Sequence, residues 1–179
     1  MPPVLTIGHS TRTFDELARL LRHHGVARLV DVRTVPRSRR NPQFNLDALA
    51  EALSAQGMAY THMAGLGGLR KPRADSPNAA WRNESFRGYA DYMQTSAFAE
   101  ALAELIAVAG REQVAIMCAE AVPWRCHRSL IADALSARGV EVRHIMGNQA
   151  PQPHAVTRFA RVEGQTVTYP PEQPGLDLE

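Results

Sequence analysis

Two short segments in the second half of the chain contain side chains that can act as nucleophiles or bind anions. The first is Cys118-Ala119-Glu120, and the second is Arg125-Cys126-His127-Arg128. A cysteine beside cationic side chains loses its proton more readily, and the thiolate is the reactive form. Arginine forks bind phosphate or carboxylate through paired hydrogen bonds. The two segments therefore indicate thiol chemistry or an anion site, with a merely buried thiol as the simpler interpretation of each cysteine.

A histidine and a carboxylate in the first third of the chain could transfer protons. His9 directly follows an apolar run and a glycine, where it is either a proton-transfer group or a structural histidine. Asp31 lies inside a second apolar run, and a buried carboxylate needs a partner. Asp31 therefore either forms a structural ion pair with a nearby arginine or serves as a carboxylate of an active site.

The basic residues are clustered rather than numerous. The chain has 20 Lys and Arg residues and a net charge of +2, and Lys71 is its single lysine. A coding bias toward arginine explains the total, so position carries more information than number. The two clusters are Arg33, Arg37, Arg39 and Arg40, and Arg70, Lys71 and Arg73. Clustered cations in loops attract phosphates, nucleotides or nucleic acid.

A glycine-rich segment precedes the second basic cluster. Gly65, Gly67 and Gly68 begin a stretch, 65–82, that we expect to form a long ordered loop. The glycines are not a dinucleotide-binding fingerprint, because no helix follows them at the required place. Their backbone forms either a nest for an anion or an ordinary turn.

These residues follow strands in an alternating pattern of strands and helices. Apolar runs predict strands at 4–7, 28–33, 58–63, 114–117 and 140–145. Helical periodicity predicts helices after Thr13, at 46–56, 85–94, 96–109 and 125–137. Two β-like runs, 156–162 and 165–169, flank Glu163-Gly164 and predict a hairpin along the sheet edge.

The pattern predicts an α/β fold of Rossmann-like type. We expect three layers, with a mainly parallel five-stranded sheet, flanking helices and a C-terminal hairpin and extended tail. Residues 1–146 are expected to form one α/β domain, with residues 147–179 as a hairpin and tail packed on it. Ligands of such sheets bind beyond the carboxyl ends of the strands, where the strand order reverses. Assuming the order 3-2-1-4-5, His9 and Ser10 should face Cys118 and Glu120.

We assign candidate roles by residue type and by position at these strand ends. The proposed catalytic residues are His9, Asp31, Glu120, Cys126 and His127. The proposed anion-binding residues are Ser10, Arg33, Arg37, Gly67, Gly68, Arg70, Arg125 and Arg128. The expected partner is an anionic small molecule or nucleic acid.

No cofactor can be assigned from the sequence, and we expect no metal site. No organic-cofactor motif is present, and the seven residues between Cys118 and Cys126 do not fit the short cysteine pairs of structural zinc sites. The N-terminus lacks the features of a signal peptide, and no apolar run has the length of a membrane span. We therefore expect a cytoplasmic protein without membrane contact, and a homodimer if it is an oligomer.

The motifs together resemble a prokaryotic family known as domain of unknown function 488. The resemblance rests on Gly8-His9-Ser10, Asp31-Val32-Arg33, Gly67-Gly68-Leu69-Arg70, Cys118-Ala119-Glu120 and Cys126-His127-Arg128, in that order. It implies the α/β fold and supports the choice of site residues. It implies no particular reaction, because the family carries no settled activity.

Three functions remain open from the sequence. The first is an enzyme, a hydrolase or transferase, that acts on a phosphate-bearing small molecule, nucleotide or nucleic acid by His, Asp and Glu acid–base chemistry. The second is a non-catalytic nucleic-acid-binding or sensing module, with Phe44, Trp81 or Trp124 available for stacking. The third is a cysteine-dependent sulfur-transfer or redox enzyme. A Cys-x5-Arg phosphatase loop starting at Cys118 would need arginine at position 124, which is tryptophan here.

Overall fold

The computed structural model describes residues 1–172. Its strands are β1 (Val4–Gly8), β2 (Arg28–Asp31), β3 (Ala59–His62), β4 (Val114–Cys118), β5 (Val142–His144), β6 (Gln152–Pro153), β7 (Arg161–Glu163) and β8 (Thr166–Thr168). Its helices are α1 (Phe14–His23), α2 (Leu46–Ala55), α3 (Glu84–Tyr92), α4 (Ser96–Ala109) and α5 (Arg128–Ala137). The α/β class and the alternation of strands and helices agree with the sequence patterns.

Six strands form the main sheet, in the order β3-β2-β4-β1-β5-β6. The first five are parallel, and the short β6 pairs antiparallel with β5. The assumed order was therefore wrong, because β4 lies between β2 and β1. Apolar patterns identify buried parallel strands but do not distinguish one neighbour from another. The expectation that β1 and β4 are neighbours was correct.

Helices cover both faces of the sheet and give it the three expected layers. On one face, Leu17 and Leu21 of α1 and Leu49 and Leu53 of α2 pack in one apolar cluster. On the other face, α3, α4 and α5 enclose a second cluster, which includes Leu102 of α4. Full burial of such a leucine contributes about 1.5–3 kcal/mol. The sheet is consequently a rigid base for the loops at its edges.

Local signals fix the ends of the first connection. The Thr13 hydroxyl accepts a hydrogen bond from the Glu16 amide at 3.1 Å and so caps α1. Gly25 follows the helix with φ +69°, a conformation that glycine adopts without strain. The chain then enters β2 directly, as the sequence indicates.

The start of α5 differs from the sequence-based prediction. A single helix was expected from Arg125, but a separate 3₁₀ turn covers Pro123–Arg125, and Cys126 has extended backbone angles of −136° and 152°. The α-helix begins at Arg128, with His127 at its N-cap. Cys126 therefore lies before the helix and not within its first turn.

The C-terminal segment also differs in detail. The hairpin forms around Gly164, but β7 and β8 make a separate two-stranded sheet instead of extending the main one. The strand that follows β5 at one edge of the main sheet is β6, which the sequence did not predict. Val167 and Tyr169 are buried in the cluster that includes α5. Residues 173–179 of the predicted tail lie outside the described residues.

No helix among residues 1–172 is both long and apolar enough to cross a membrane.

Candidate functional site

A cavity of about 640 Å³ lies beyond the carboxyl ends of β1, β2 and β4. Its lining comes from parts of segments 9–11, 33–41, 68–69, 85–89, 118–121 and 125–127. The connection that leaves β1 runs to α1 on one face, and the connection that leaves β4 runs to α5 on the other. Adjacent strands whose connections diverge in this way open a crevice between them.

The β1 and β4 loops are held together by backbone contacts at the cavity. The amides of His9 and Ser10 donate to the carbonyls of Cys118 and Ala119, at 3.0 and 2.9 Å. A Cβ atom on Gly8 would overlap the carbonyl oxygen of Glu120. The close approach therefore requires glycine at position 8, and it brings His9 and Ser10 beside the segment that contains Cys118 and Glu120.

His9 is buried and has a defined tautomer. Its Nδ1 donates to the Ser10 carbonyl at 2.8 Å, because a carbonyl oxygen can only accept. Its Nε2 therefore carries the lone pair and lies 3.4 Å from Nη1 of Arg33. Burial lowers the pKa of His9, and the neighbouring guanidinium acts in the same direction. The lone pair of Nε2 accepts only this long hydrogen bond from Arg33, and a neutral imidazole of this kind on a cavity lining is suited to accept a proton.

Asp31 holds Arg33 in place and does not line the cavity. Its carboxylate accepts from Nε and Nη2 of Arg33 at 2.9 and 2.6 Å, and from the Tyr60 hydroxyl at 2.5 Å. Burial together with this carboxylate raises the pKa of Tyr60. The fully buried Asp31 therefore has the structural ion-pair role considered above, and Nη1 of Arg33 remains directed toward His9.

His127 is a second neutral imidazole on the lining. Its Nε2 donates to the Val32 carbonyl at 2.9 Å, which leaves Nδ1 as an acceptor 3.5 Å from Sγ of Cys126. Burial lowers the pKa of His127 to about 4. A Cβ on Gly68 would come within 3.1 Å of Nδ1, so glycine at this position keeps space beside the ring.

Cys118 and Cys126 come together at the cavity wall. Both are buried, both line the cavity, and their Sγ atoms are in contact. The structure pairs them, and no other cysteine exists in the chain. The two cysteines therefore form a pair of sulfur atoms beside His127 and are not two isolated buried thiols.

The predicted anion-binding residues divide into two groups. Ser10, Arg33, Arg37, Gly68 and Arg125 line the cavity, as do the catalytic candidates Glu120 and Cys126. Gly67 packs against Thr34. The Arg70 guanidinium stacks on Tyr92, with its Cζ atom 3.7 Å from the ring centroid. Neither these two residues nor Arg128 contributes to the lining.

Arg128 lies behind the cavity wall as a buried cation. It has 0 % exposure, and burial lowers its pKa to about 10. Nη2 donates to the Glu120 carbonyl at 2.7 Å, whereas Nε has no hydrogen-bond partner among the described residues. The side chain supports the loop that carries Glu120, and it does so from the side opposite the cavity.

A chain of buried hydrogen bonds, which sequence reasoning missed, connects Arg128 to the C-terminal segment. It runs from Arg128 to Thr6 (3.3 Å), His144 (2.7 Å), His154 (2.9 Å) and Asp133 (2.7 Å). When both imidazole rings are neutral, each group donates a hydrogen bond to the next one. The chain then ends at the buried Asp133 carboxylate, which only accepts. Burial lowers the pKa of His144 to about 4. Isolated polar residues within apolar segments were the only sequence signal for this chain.

Backbone strain is concentrated at the cavity. Among residues 1–172, the only non-glycine residues with positive φ are Ser10 at 49° and Leu69 at 59°. Both line the cavity. Non-glycine residues held in this region are enriched at functional sites, because the surrounding structure must hold them there.

Several lining residues were not predicted from the sequence. Thr34, Val35, Ser38, Arg40, Asn41, Leu69, Phe86 and Tyr89 contribute to the wall. The segment after β2 offered a signal, since its basic cluster already included Arg40. Phe86 and Tyr89 lie within the helix predicted at 85–94, and nothing in the local sequence shows that this helix reaches the sheet edge.

The described part of the chain contains no group of three or more His, Cys, Asp or Glu side chains arranged to hold a metal ion.

Comparison with known proteins gives one match. No curated protein and no solved structure matches the chain. The family model described as "Domain of unknown function DUF488" matches residues 13–135, which include β2, β3, β4 and most of α5 but not His9 or the C-terminal segment. The chain therefore belongs to the DUF488 family, as its motifs indicated.

Proposed function

We propose that this protein is an enzyme that binds a phosphate-bearing ligand in the cavity and uses His9 as a general base. The observation that carries the proposal is the contact between His9 Nε2 and Nη1 of Arg33, 3.4 Å apart on the cavity lining. His9 supplies the proton acceptor, and Nη1 of Arg33, the one guanidinium nitrogen not bonded to Asp31 or Phe44, supplies a donor for a phosphate oxygen. This pairing of a base with an anion-binding cation is what phosphoryl transfer requires.

The charge of the lining supports an anionic ligand. Arg33, Arg37, Arg40 and Arg125 come from two separate loops and meet at one cavity. Asp31 and the Phe44 carbonyl hold Nε and Nη2 of Arg33, so the N–H groups of Nη1 are fixed in direction before a ligand binds. Fixed donors stabilise developing negative charge without reorganisation during the reaction.

The proposed step is hydrolysis of a phosphate ester. The water oxygen adds to phosphorus while one water proton passes to Nε2 of His9, and the ester oxygen leaves with a proton taken from solvent. Glu120 is exposed on the lining, where it can exchange that proton. Transfer of the phosphoryl group to another hydroxyl would use the same base.

Calorimetry and turnover together test the proposal. The probes are inorganic phosphate, p-nitrophenyl phosphate, bis(p-nitrophenyl) phosphate and the ribonucleoside 5′-mono- and triphosphates. We expect at least one probe to bind, and Arg37→Ala and Arg125→Ala to weaken it at least several-fold. Arg22→Ala, at an exposed position of α1 outside the cavity lining, is the matched control and should bind normally.

For a probe that turns over, His9→Gln should lower kcat by about 10²- to 10⁴-fold, the usual contribution of a general base. His23→Gln, also on α1, should not change it. Absence of binding by every probe, or full turnover by the His9 variant, would overturn the proposal.

A second candidate function is thiol chemistry at Cys118 and Cys126. The specific observation in its favour is that Sγ of Cys126 lies 3.5 Å from the acceptor nitrogen of His127 and in contact with Cys118. After reduction, we expect iodoacetamide to label Cys126 at pH 7.5 faster than it labels a small-molecule thiol. Slow labelling of both cysteines in the folded protein would exclude this candidate.

A further inference from the structure

We propose that the ligand of the cavity is a nucleoside phosphate, whose base lies against one apolar side of the cavity while its phosphate meets the arginines. This inference rests on the proposed function, because it specifies the organic group that the bound phosphate carries. It is carried by the size of the cavity, by an exposed apolar surface on one side and by an amide with free hydrogen-bonding capacity.

The cavity is too large for a phosphate group alone. Its volume of about 640 Å³ falls in the range of about 300–1,000 Å³ typical of sites for whole small-molecule ligands. The ligand therefore has a second part, and the remaining walls define the chemistry of that part.

Val35, Leu69, Phe86 and Tyr89 are the large apolar side chains of the cavity lining. The Thr34 hydroxyl donates to the Gly68 carbonyl at 2.7 Å and so fixes the Val35 loop beside Leu69. Helix α3 packs directly on Arg70 and Lys71, which follow Leu69. The contact is so close that a Cβ atom on Gly88 of this helix would overlap the Arg70 carbonyl. These contacts join the three elements into one surface.

The exposed members of this side have no internal reason to be apolar. Val35 is 59 % exposed and Leu69 is 83 % exposed. Leu69 is also held at φ +59°, where glycine or asparagine is the favoured residue. A strained backbone that presents a leucine to the open cavity is explained by contact of that leucine with a ligand.

The polar groups beside this surface favour a heteroaromatic ring over an alkyl chain. Asn41 lines the cavity, and its side-chain amide makes no hydrogen bond among the described residues. An amide offers a donor and an acceptor together, which matches the edge of a nucleobase. Arg40 on the same loop can stack its planar guanidinium group on an aromatic ring, while Arg37 contacts the phosphate.

Calorimetry with a graded set of probes tests the inference. The set is inorganic phosphate, ribose 5-phosphate, hexyl phosphate, the four ribonucleoside 5′-monophosphates, the four nucleosides and a 5′-phosphorylated hexanucleotide. At least one nucleoside monophosphate should bind tenfold or more tightly than both ribose 5-phosphate and hexyl phosphate. Equal affinity across these phosphates would overturn the inference while leaving the proposed function intact.

Three further outcomes decide the two proposals together. If no phosphate binds, both fall. If nucleosides bind as tightly as their phosphates, the anion requirement and the proposed function fall, and so does a nucleoside phosphate as the ligand. If only the hexanucleotide binds, with its affinity dependent on the 5′-phosphate, the inference holds and the ligand is the end of a nucleic-acid strand.

Leu69→Gly is the decisive variant, because it relieves the strained backbone and should fold at least as stably as the parent. It should reduce nucleotide affinity at least fivefold while leaving the affinity for inorganic phosphate unchanged. Leu69→Asn, which also tolerates positive φ, should do the same. Val162→Ser, at an exposed apolar residue of the hairpin, is the control. Unchanged nucleotide affinity in both Leu69 variants would overturn the inference.

Discussion

At the scale of single residues, the cavity depends on one glycine at the end of β1. The backbone of Glu120 occupies the space that any side chain at position 8 would need. The same close approach of the two backbones allows the amides of His9 and Ser10 to donate hydrogen bonds to the carbonyls of Cys118 and Ala119. Gly8 is therefore required by packing, and the position of His9 follows from it.

Gly8→Ala should destabilise the protein and displace the Glu120 loop. Overpacking of a core costs about 1–3 kcal/mol, and here the obstacle is backbone that cannot rotate away. Urea unfolding followed by circular dichroism measures the effect. In the control, Gly110→Ala, the new Cβ has its nearest neighbour at 3.5 Å, and stability should be unchanged or slightly higher. Equal stability of the two variants would contradict the packing argument.

At the scale of elements, α3 is the helix that completes the cavity. It lies outside the alternation of strands and crossovers, since α4 follows it before β4 begins. Its first residues carry Phe86 and Tyr89 to the wall, and the Tyr89 hydroxyl donates to the Leu66 carbonyl at 2.8 Å. The start of this helix therefore determines the shape of the apolar side.

Asn83→Ala should weaken this element specifically. The Asn83 side chain caps α3 by accepting from the amides of Ser85 and Phe86, at 2.8 and 3.2 Å. Loss of such a cap costs about 1 kcal/mol, whereas Asn83→Ser keeps an acceptor and should retain most of the stability. Hydrogen exchange of the α3 amides is the measurement. Uniform loss of protection across the protein would show that α3 does not open separately.

At the scale of the whole molecule, a buried polar chain connects the C-terminal segment with the site. Asp133 accepts from His154, the Thr157 amide and the Tyr169 hydroxyl, all within 3.0 Å. The opposite end of the chain is Arg128, which supports the Glu120 loop. The tail is thus attached to the sheet through groups whose hydrogen bonding depends on protonation.

The free energy of unfolding should decrease as the pH falls from about 6.5 toward 4. Burial lowers the folded-state pKa of His144 to about 4, with further lowering by His154 and Arg128, whereas the unfolded ring has its ordinary value of 6.5. Between these values only the unfolded state binds the proton, so stability is lost, by at most roughly 3 kcal/mol from this residue. His127, with a pKa of about 4, acts in the same direction.

Urea unfolding at pH 7.5, 6.5, 5.5 and 4.5 measures this dependence. His144→Asn should be less stable than the parent at pH 7.5, because it loses bonds to Thr6 and His154. Its stability should nevertheless change less with pH. An unaltered pH slope in the variant would show that His144 is not a source of the acid sensitivity.

Features that depend on local pattern could be predicted from the amino-acid sequence. Continuous apolar runs identified the strands, and Thr13 and Gly25 marked the ends of α1. The placement of His9, Arg33 and Glu120 at strand ends followed, because parallel strands bring their carboxyl ends to one edge. The family motifs, which are local as well, agreed with this placement.

The arrangement of these strands and side chains in space could not be predicted, because it depends on contacts between distant parts of the chain. Apolar parallel strands are interchangeable by pattern, so the position of β4 between β2 and β1 could not be inferred. Direction of side chains is equally non-local: Arg128 points into the interior and Arg125 into the cavity, although the two are neighbours in one motif. The contacts of α3 and of the buried chain at Asp133 join residues distant in sequence, and packing alone selects them.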